Sequence, residues 1–170
     1  MNKRLLPWRT SSDPYFIWLS EIILQQTRID QGQKYWEKFL NIFPRIQNLA
    51  SAEESEVLAL WSGLGYYSRA RNIHKTSKII VEKYSNKFPN SSKELVKLPG
   101  IGPYTAAAVS SICFNEVIPA LDGNAFRVYS RLFGIDLPIE KKLTINTIAK
   151  LALPLISKNQ PGDSNQAIMD

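Results

Sequence analysis

The sequence predicts an all-α protein, on three observations. No segment sustains the apolar/polar alternation of a half-buried strand. Helix-starting signals recur along the chain: Asp13 before Pro14, Ser51 with Glu54 three residues on, and Ser91 with Glu94. Between them apolar residues recur at helical spacing, as Ile73, Ile80 and Tyr84 do. Taken in order, Asp13 and Pro14 open a strongly apolar helix expected over residues 15–27. The next is expected over 29–43, stopped by Pro44. The Ser51/Glu54 signature opens a third, closed by Gly63 and Gly65. Residues 66–84 are expected as a basic helix whose Arg69, Arg71, Lys75 and Lys78 lie off the apolar stripe, on a face that is ordinarily solvated. A short helix runs from Ser91 toward Leu98, and a small-residue helix follows over 105–114. The remaining helices are expected over 123–133, 142–156 and from Asp163 onward.

Composition bounds the function. The chain has 170 residues, 44% of them hydrophobic and 21% charged, which suits one large globular domain or two small lobes. No apolar run approaches the 18 residues of a membrane span, and the first nine residues are too short and polar for a secretory signal. A single cysteine excludes an internal disulfide framework or a cysteine-rich metal site built from these residues alone. A reduced, cytoplasmic compartment is therefore expected. The excess of 21 Lys+Arg over 15 Asp+Glu gives a net charge of +6, compatible with a polyanionic partner but too common to identify one.

The most informative local signal is Leu98-Pro99-Gly100-Ile101-Gly102-Pro103-Tyr104-Thr105-Ala106. Two glycines around one apolar residue, between two helices, make a tight hairpin in which the backbone can approach a bulky ligand. The helix that follows offers unpaired N–H groups and its positive end to an anion. An ordinary glycine-containing helix–helix turn would read the same way locally. The segment resembles the helix-hairpin-helix motif, which grips a DNA backbone without reading sequence. That resemblance implies phosphate contacts at Gly100, Ile101, Gly102 and Thr105, with a K+ or Na+ ion held by the carbonyls of Val96, Leu98 and Ile101. Beside a phosphate-gripping hairpin, the basic face carrying Arg69, Arg71, Lys75 and Lys78 could equally meet phosphates.

Two carboxylates stand out. Glu21 lies inside the first apolar helix, with Ile17 and Trp18 one turn before it and Leu24 one turn after. Desolvation there would raise its pKa and make it a candidate general acid, although a salt-bridged side chain is equally compatible. Asp122 lies in Leu121-Asp122-Gly123-Asn124, a turn into a helix, where an aspartate is ordinarily an N-cap.

Together these segments resemble the adenine DNA glycosylase family of the helix-hairpin-helix glycosylase superfamily. Ser20-Glu21-Ile22-Ile23-Leu24-Gln25-Gln26-Thr27 and Gly63-Leu64-Gly65-Tyr66-Tyr67-Ser68-Arg69-Ala70-Arg71-Asn72 carry the likeness. So do Leu6-Pro7-Trp8-Arg9 and Asn165-Gln166-Ala167-Ile168-Met169-Asp170. The resemblance implies a monomeric base-excision repair enzyme that removes adenine mispaired with 8-oxoguanine or guanine from double-stranded DNA, working at the nucleoid. It assigns Glu21 to protonate the adenine and Asp122 to stabilise the oxocarbenium ion, with opposed pKa values as in glycoside hydrolases. The base must first be flipped from the stack. The resemblance gives the plug and the reading of the opposite base to Gln26, Thr27, Leu64 and Tyr66, and the adenine pocket to Trp8, Arg9, Leu24 and Gln166. Some members carry glutamate where Gln166 stands.

Tyr104 separates related activities. Glycosylases that also cut the strand have a lysine there, whose amine forms a Schiff base; a tyrosine cannot, so a monofunctional enzyme is expected, with Tyr104 assisting Asp122. Three rivals stay open: a thymine or uracil–guanine mismatch glycosylase of the same fold, a non-catalytic DNA-binding module and an all-α protein scaffold. The fold implied is two-lobed with DNA in the cleft. One lobe covers 8–118 with the hairpin at about 92–114, and the other covers 1–7 and 119–170. Family members usually continue into a four-cysteine loop holding a [4Fe-4S] cluster and then a domain that recognises 8-oxoguanine. A chain truncated before both is expected, with residues 142–170 weakly held. His74 is expected at the surface or facing phosphate, Cys113 in an inert core position, and Trp18, Trp36 and Trp61 in helix cores.

Overall fold

The computed structural model describes residues 6–169, so the calls on residues 1–5 and on Asp170 lie outside the described residues. Every element among them is helical: a 3-10 turn Pro7–Thr10, then α1 (Pro14–Ile23), α2 (Ile29–Ile42), α3 (Ile46–Ser51), α4 (Glu54–Trp61) and α5 (Ser68–Tyr84). There follow α6 (Ser92–Leu95), α7 (Pro103–Phe114), α8 (Gly123–Phe133), α9 (Lys142–Ala152), a 3-10 turn Leu153–Leu155, and α10 (Pro161–Met169).

Helix α1 is the hub. Asp13 caps it by accepting the Tyr15 N–H at 2.8 Å, with Pro14 at the first helical position. Ile17, Trp18, Leu19, Ile22 and Ile23 are each at most 2% exposed, so α1 is apolar almost all round and is enclosed by its neighbours. The helix stops at Ile23, four residues earlier than its apolar run suggests. Gln26 takes a left-handed φ of +58°, and the Arg69 guanidinium binds the carbonyls of Ile22 and Ile23 at 3.2 Å each and also that of Gln25. A cation at a helix C-terminus satisfies carbonyls that have no intrahelical partner.

Two other expectations change. Ser51 ends α3, a helix absent from the sequence reading, instead of opening α4; the cap of α4 is Glu53, whose N–H donates to Glu56 Oε2 at 2.9 Å. Extended Ala52 (φ −67°, ψ 156°) separates the two helices. Ser91 makes no side-chain cap on α6. Glu116 supplies it from the exit of α7, accepting the Ser92 N–H at 2.6 Å and the Ser92 hydroxyl at 2.9 Å. Glu94 instead pairs with Lys97.

Packing forms two main apolar clusters. The larger joins Trp8 with α1–α7, including Trp18, Trp36, Phe39 and Trp61; the smaller gathers Ala125, Tyr129, Ile148 and Ala152 on α8 and α9. Between them lies a seam of small residues, Ala107, Ala108 and Ala120. Gly162 lets α10 lie against α7 there: a Cβ at Gly162 would come within 2.7 Å of Ile112 Cα. Asn165, 2% exposed, closes the seam with three hydrogen bonds. It donates to Ser111 Oγ (3.0 Å) and the Ile118 carbonyl (2.9 Å), and accepts from the Ala120 N–H (2.9 Å).

Candidate active site

The seam positions one cavity of about 410 Å³, which collects side chains from five parts of the chain. Glu21 and Leu24 reach it from α1 and the turn after it, Trp8 and Arg9 from the first 3-10 turn, and Tyr104 from the first turn of α7. Asp122 enters from the start of α8, Gln166 and Met169 from α10, and Gln26 and Thr27 from the turn after α1. Nine of the residues singled out in the sequence thus line one cavity.

The carboxylates are held differently. Glu21 is half-buried, and loss of water around it pushes its carboxyl up to about 7. A hydrogen bond from Tyr104 opposes that rise, the negative charge of Asp122 adds to it, and Arg9 opposes it. Asp122 is the N-cap of α8: its Oδ1 accepts the Ala125 N–H at 2.7 Å, and Asn124 Nδ2 lies 3.5 Å from its Oδ2. Capping and a place in the cavity are therefore compatible: Oδ1 serves the helix, while Oδ2 has only the distant Asn124 amide on that side. Tyr104 has its phenol pushed far above the usual range by burial and by the charge of Glu21, so it stays protonated; its hydroxyl also lies 3.1 Å from Met169 Sδ. Trp8 is 5% exposed and meets Trp36 edge-on at 5.6 Å, giving the cavity a rigid aromatic floor.

The other singled-out residues lie elsewhere. Tyr66 is 65% exposed at φ +47°, whereas the Leu64 side chain is buried in the core at 8%. Leu64 is therefore not available as a wedge through its side chain; its carbonyl accepts from Arg69 at 3.1 Å. In the hairpin only Gly100 uses a left-handed backbone (φ +75°), and a Cβ there would meet Asn72 Cβ at 2.6 Å. Gly102 is extended (φ −81°, ψ 173°) and has open space where a Cβ would stand. The side chains of Ile101 and Thr105 are buried, leaving backbone as what this hairpin presents. Helix α7 begins with no side-chain cap, and Thr76 ties the loop to α5 by donating to the Pro99 carbonyl at 2.8 Å.

Two basic residues read as solvated are buried. Arg69 lies with its guanidinium 5.1 Å from the Trp61 ring centroid and 5.6 Å from that of Tyr66, and binds the four carbonyls named above. It fastens the Gln25–Gln26 turn to the Leu64–Tyr66 turn. His74, 2% exposed, pairs its Nε2 with the Ala52 carbonyl at 2.9 Å, and burial followed by the nearby Lys78 lowers its pKa, so it joins α5 to the α3–α4 corner. Sequence reasoning missed Arg69, Asn165 and Met169. For Arg69 the available signal was its place just after a glycine-rich turn, where carbonyls of neighbouring loops converge. Cys113 is half-buried, its thiol pushed up to about 12, first by burial. No group of three or more His, Cys, Asp or Glu suited to a metal occurs among the described residues, and with one cysteine in the sequence a four-thiolate cluster finds no ligand set here.

Comparison with known proteins places the chain in a family. The chain is 42% identical to the adenine DNA glycosylase of Buchnera aphidicola subsp. Schizaphis graminum, over 99% of this chain and 49% of that protein. It is 40% identical to the adenine DNA glycosylase of Mus musculus, over 99% of this chain and 35% of that one. The chain thus spans about half the length, or less, of the curated relatives it matches. Among solved structures, a thermostable thymine-DNA glycosylase superposes with a TM-score of 0.90 at 28% identity, over 100% of this chain and 78% of the other. Endonuclease III trapped covalently on DNA superposes at 0.79 with 22% identity, over 92% and 72%, a likeness of fold. Residues 19–154 match the family described as HhH-GPD superfamily base excision DNA repair protein, and the chain belongs to that family.

Proposed function

We propose that this chain is the catalytic part of a monofunctional adenine DNA glycosylase that hydrolyses the N-glycosidic bond of adenine opposite 8-oxoguanine or guanine. The observation that carries the reading is the convergence of Glu21, Asp122 and Tyr104 on one 410 Å³ cavity, where burial pushes the Glu21 carboxyl up to about 7. An acid poised near neutrality can give its proton to a purine nitrogen and so improve the leaving group. Asp122, facing the sugar, offsets the positive charge that develops as the bond lengthens. Tyr104 places a hydroxyl, not an amine, beside the sugar, so water completes the reaction and no Schiff base forms. Trp8, Arg9, Leu24 and Gln166 enclose the flipped adenine; a 410 Å³ space bounded by an aromatic floor suits a planar base.

In this reading duplex DNA lies between a lobe of residues 8–118 and a second lobe reaching residue 170. Exposed Gln26 and Tyr66 meet the opposite base, and Thr27 flanks them. The hairpin grips a phosphate through the backbone of Gly100, Ile101, Gly102 and Thr105. The Val96, Leu98 and Ile101 carbonyls would hold a K+ or Na+ ion, which would offset phosphate charge; the Leu98 carbonyl accepts the Ile101 N–H at 3.2 Å and keeps a second lone pair. The enzyme acts as a monomer at the nucleoid. Similarity to named adenine glycosylases supports adenine over thymine, although a thymine-DNA glycosylase shares the fold.

The test is a panel of oligonucleotide duplexes carrying adenine, thymine or uracil opposite guanine and 8-oxoguanine, followed by alkali to reveal abasic sites. Adenine release opposite 8-oxoguanine or guanine is expected, with Glu21→Gln abolishing it while duplex binding persists. Adenine left intact opposite both purines, or efficient covalent trapping by borohydride, overturns the reading.

A further inference from the structure

The Tyr104 hydroxyl carries one proton and faces two acceptors. It donates to Met169 Sδ at 3.1 Å, and the Glu21 carboxyl, which lines the same cavity, is near enough to compete for that proton. Met169 sits in the last residue of α10, against the same cavity, and nothing in the proposed chemistry uses it. A phenol can donate one hydrogen bond and accept others, while a thioether can only accept.

The two states of Glu21 ask different things of that hydroxyl. When Glu21 is ionised, its carboxylate is the stronger acceptor and takes the Tyr104 proton. When Glu21 is protonated, its own O–H needs an acceptor inside the cavity. The Tyr104 oxygen can serve only if its proton turns elsewhere, and Met169 Sδ is the acceptor within reach. We propose that Met169 is a positioning residue for the general acid: by accepting from Tyr104, it frees the Tyr104 oxygen to accept from the protonated Glu21. The chain Glu21 O–H to Tyr104 O–H to Met169 Sδ then holds the transferable proton in a fully hydrogen-bonded state. Only hydroxyl rotation is involved; no covalent bond forms or breaks until the proton leaves for the base. The inference deepens the reading of Glu21 as the acid and rests on it.

Other groups around Glu21 do not replace this role. Arg9 faces it from the first 3-10 turn, Asp122 from the start of α8, and Cys113 with Tyr104 from α7. Helix α2 meets α1 through Gly32 and Trp36, and α5 through the Arg69 guanidinium, which is held by the carbonyls of Ile22 and Ile23. From α10, Gln166 lines the cavity beside Met169. Arg9 and Asp122 change the charge around Glu21, but neither is an acceptor for the Tyr104 proton on the α10 side.

The test is the Glu21 titration followed by carbon-13 carboxyl NMR on the free protein, with the resonance assigned through Glu21→Gln. Met169→Leu keeps the volume and removes the acceptor, so Tyr104 is committed to the carboxylate. The Glu21 midpoint is expected to fall by about half a pH unit, leaving about threefold less protonated enzyme above it, and the alkaline limb of the excision rate should move by the same amount. In a Tyr104→Phe background Met169→Leu should move nothing. An unmoved midpoint in the single variant, or an equal shift in the Tyr104→Phe background, overturns the role of Met169 while leaving Glu21 as the acid. A parent midpoint in the ordinary carboxylate range overturns both.

Discussion

Glu21 is where burial works against the stability of the molecule. Its carboxyl is raised from about 4.5 to about 7, with loss of water the largest cause. Between those pH values the folded chain binds a proton that the unfolded chain has released, so this group's contribution to stability falls as pH rises from about 4.5 to 7 and stays low above. Glu21→Gln removes the penalty while keeping a polar group for Tyr104 to meet. The variant is expected to match the parent at about pH 4 and to exceed it by about 2–3 kcal/mol at about pH 8, read from denaturant midpoints. An equal difference at both pH values would refute the burial argument. The desolvation of Glu21 was legible because its own helix neighbours are apolar. That of Arg69 was not, since what buries it are carbonyls contributed by residues 22–25 and 64, more than forty positions away on one side. His74 fails for the same reason: its partner, the Ala52 carbonyl, lies on another helix.

At the scale of elements, the hairpin between α6 and α7 separates folding from binding in two glycines one residue apart. Gly100 is needed by the fold, since it holds φ +75° and lies where a Cβ would overlap Asn72. Gly102 has φ −81° and open space, so the fold tolerates a methyl group that any ligand approaching the backbone would meet. Gly100→Ala is expected to destabilise the protein by about 1–3 kcal/mol. Gly102→Ala should leave the melting temperature nearly unchanged and weaken binding to duplex DNA about tenfold, measured by titration at fixed salt because phosphate contacts are salt-dependent. If the two variants behave alike in both measurements, the hairpin is only a turn. Helix existence was readable here from glycine, proline and capping residues, whereas ends and some caps were not. Helix α1 ends where Arg69 takes its carbonyls, and α6 is capped by Glu116, 24 residues after the Ser92 it binds. Both are decided by contacts that no local window contains.

For the whole molecule, the decisive feature is the seam where α10 lies on α7. Helix α7 carries Tyr104, α10 carries Gln166 and Met169, and Asn165 fixes the Ile118–Ala120 segment that leads to Asp122. The position of Asp122 relative to Glu21 on α1 is therefore set by how closely α10 approaches α7, and Gly162 sets that approach: an added Cβ would stand 2.7 Å from Ile112 Cα and 3.2 Å from the Ser111 carbonyl. Backbone cannot yield as a flexible side chain would, so Gly162→Ala must lift α10 or shift α7. Displacements of this kind, far from the reacting bond, lower rates by misaligning groups that must act together. Gly162→Ala is thus expected to slow single-turnover excision at saturating DNA by about tenfold or more. Affinity for the duplex should change little, because the hairpin lies at the other end of α7, beyond the seam. Rapid-quench measurement of base release beside a binding titration checks this. An unchanged rate, or a rate that falls only as far as affinity does, would mean that the seam holds the lobes together without aligning the two carboxylates.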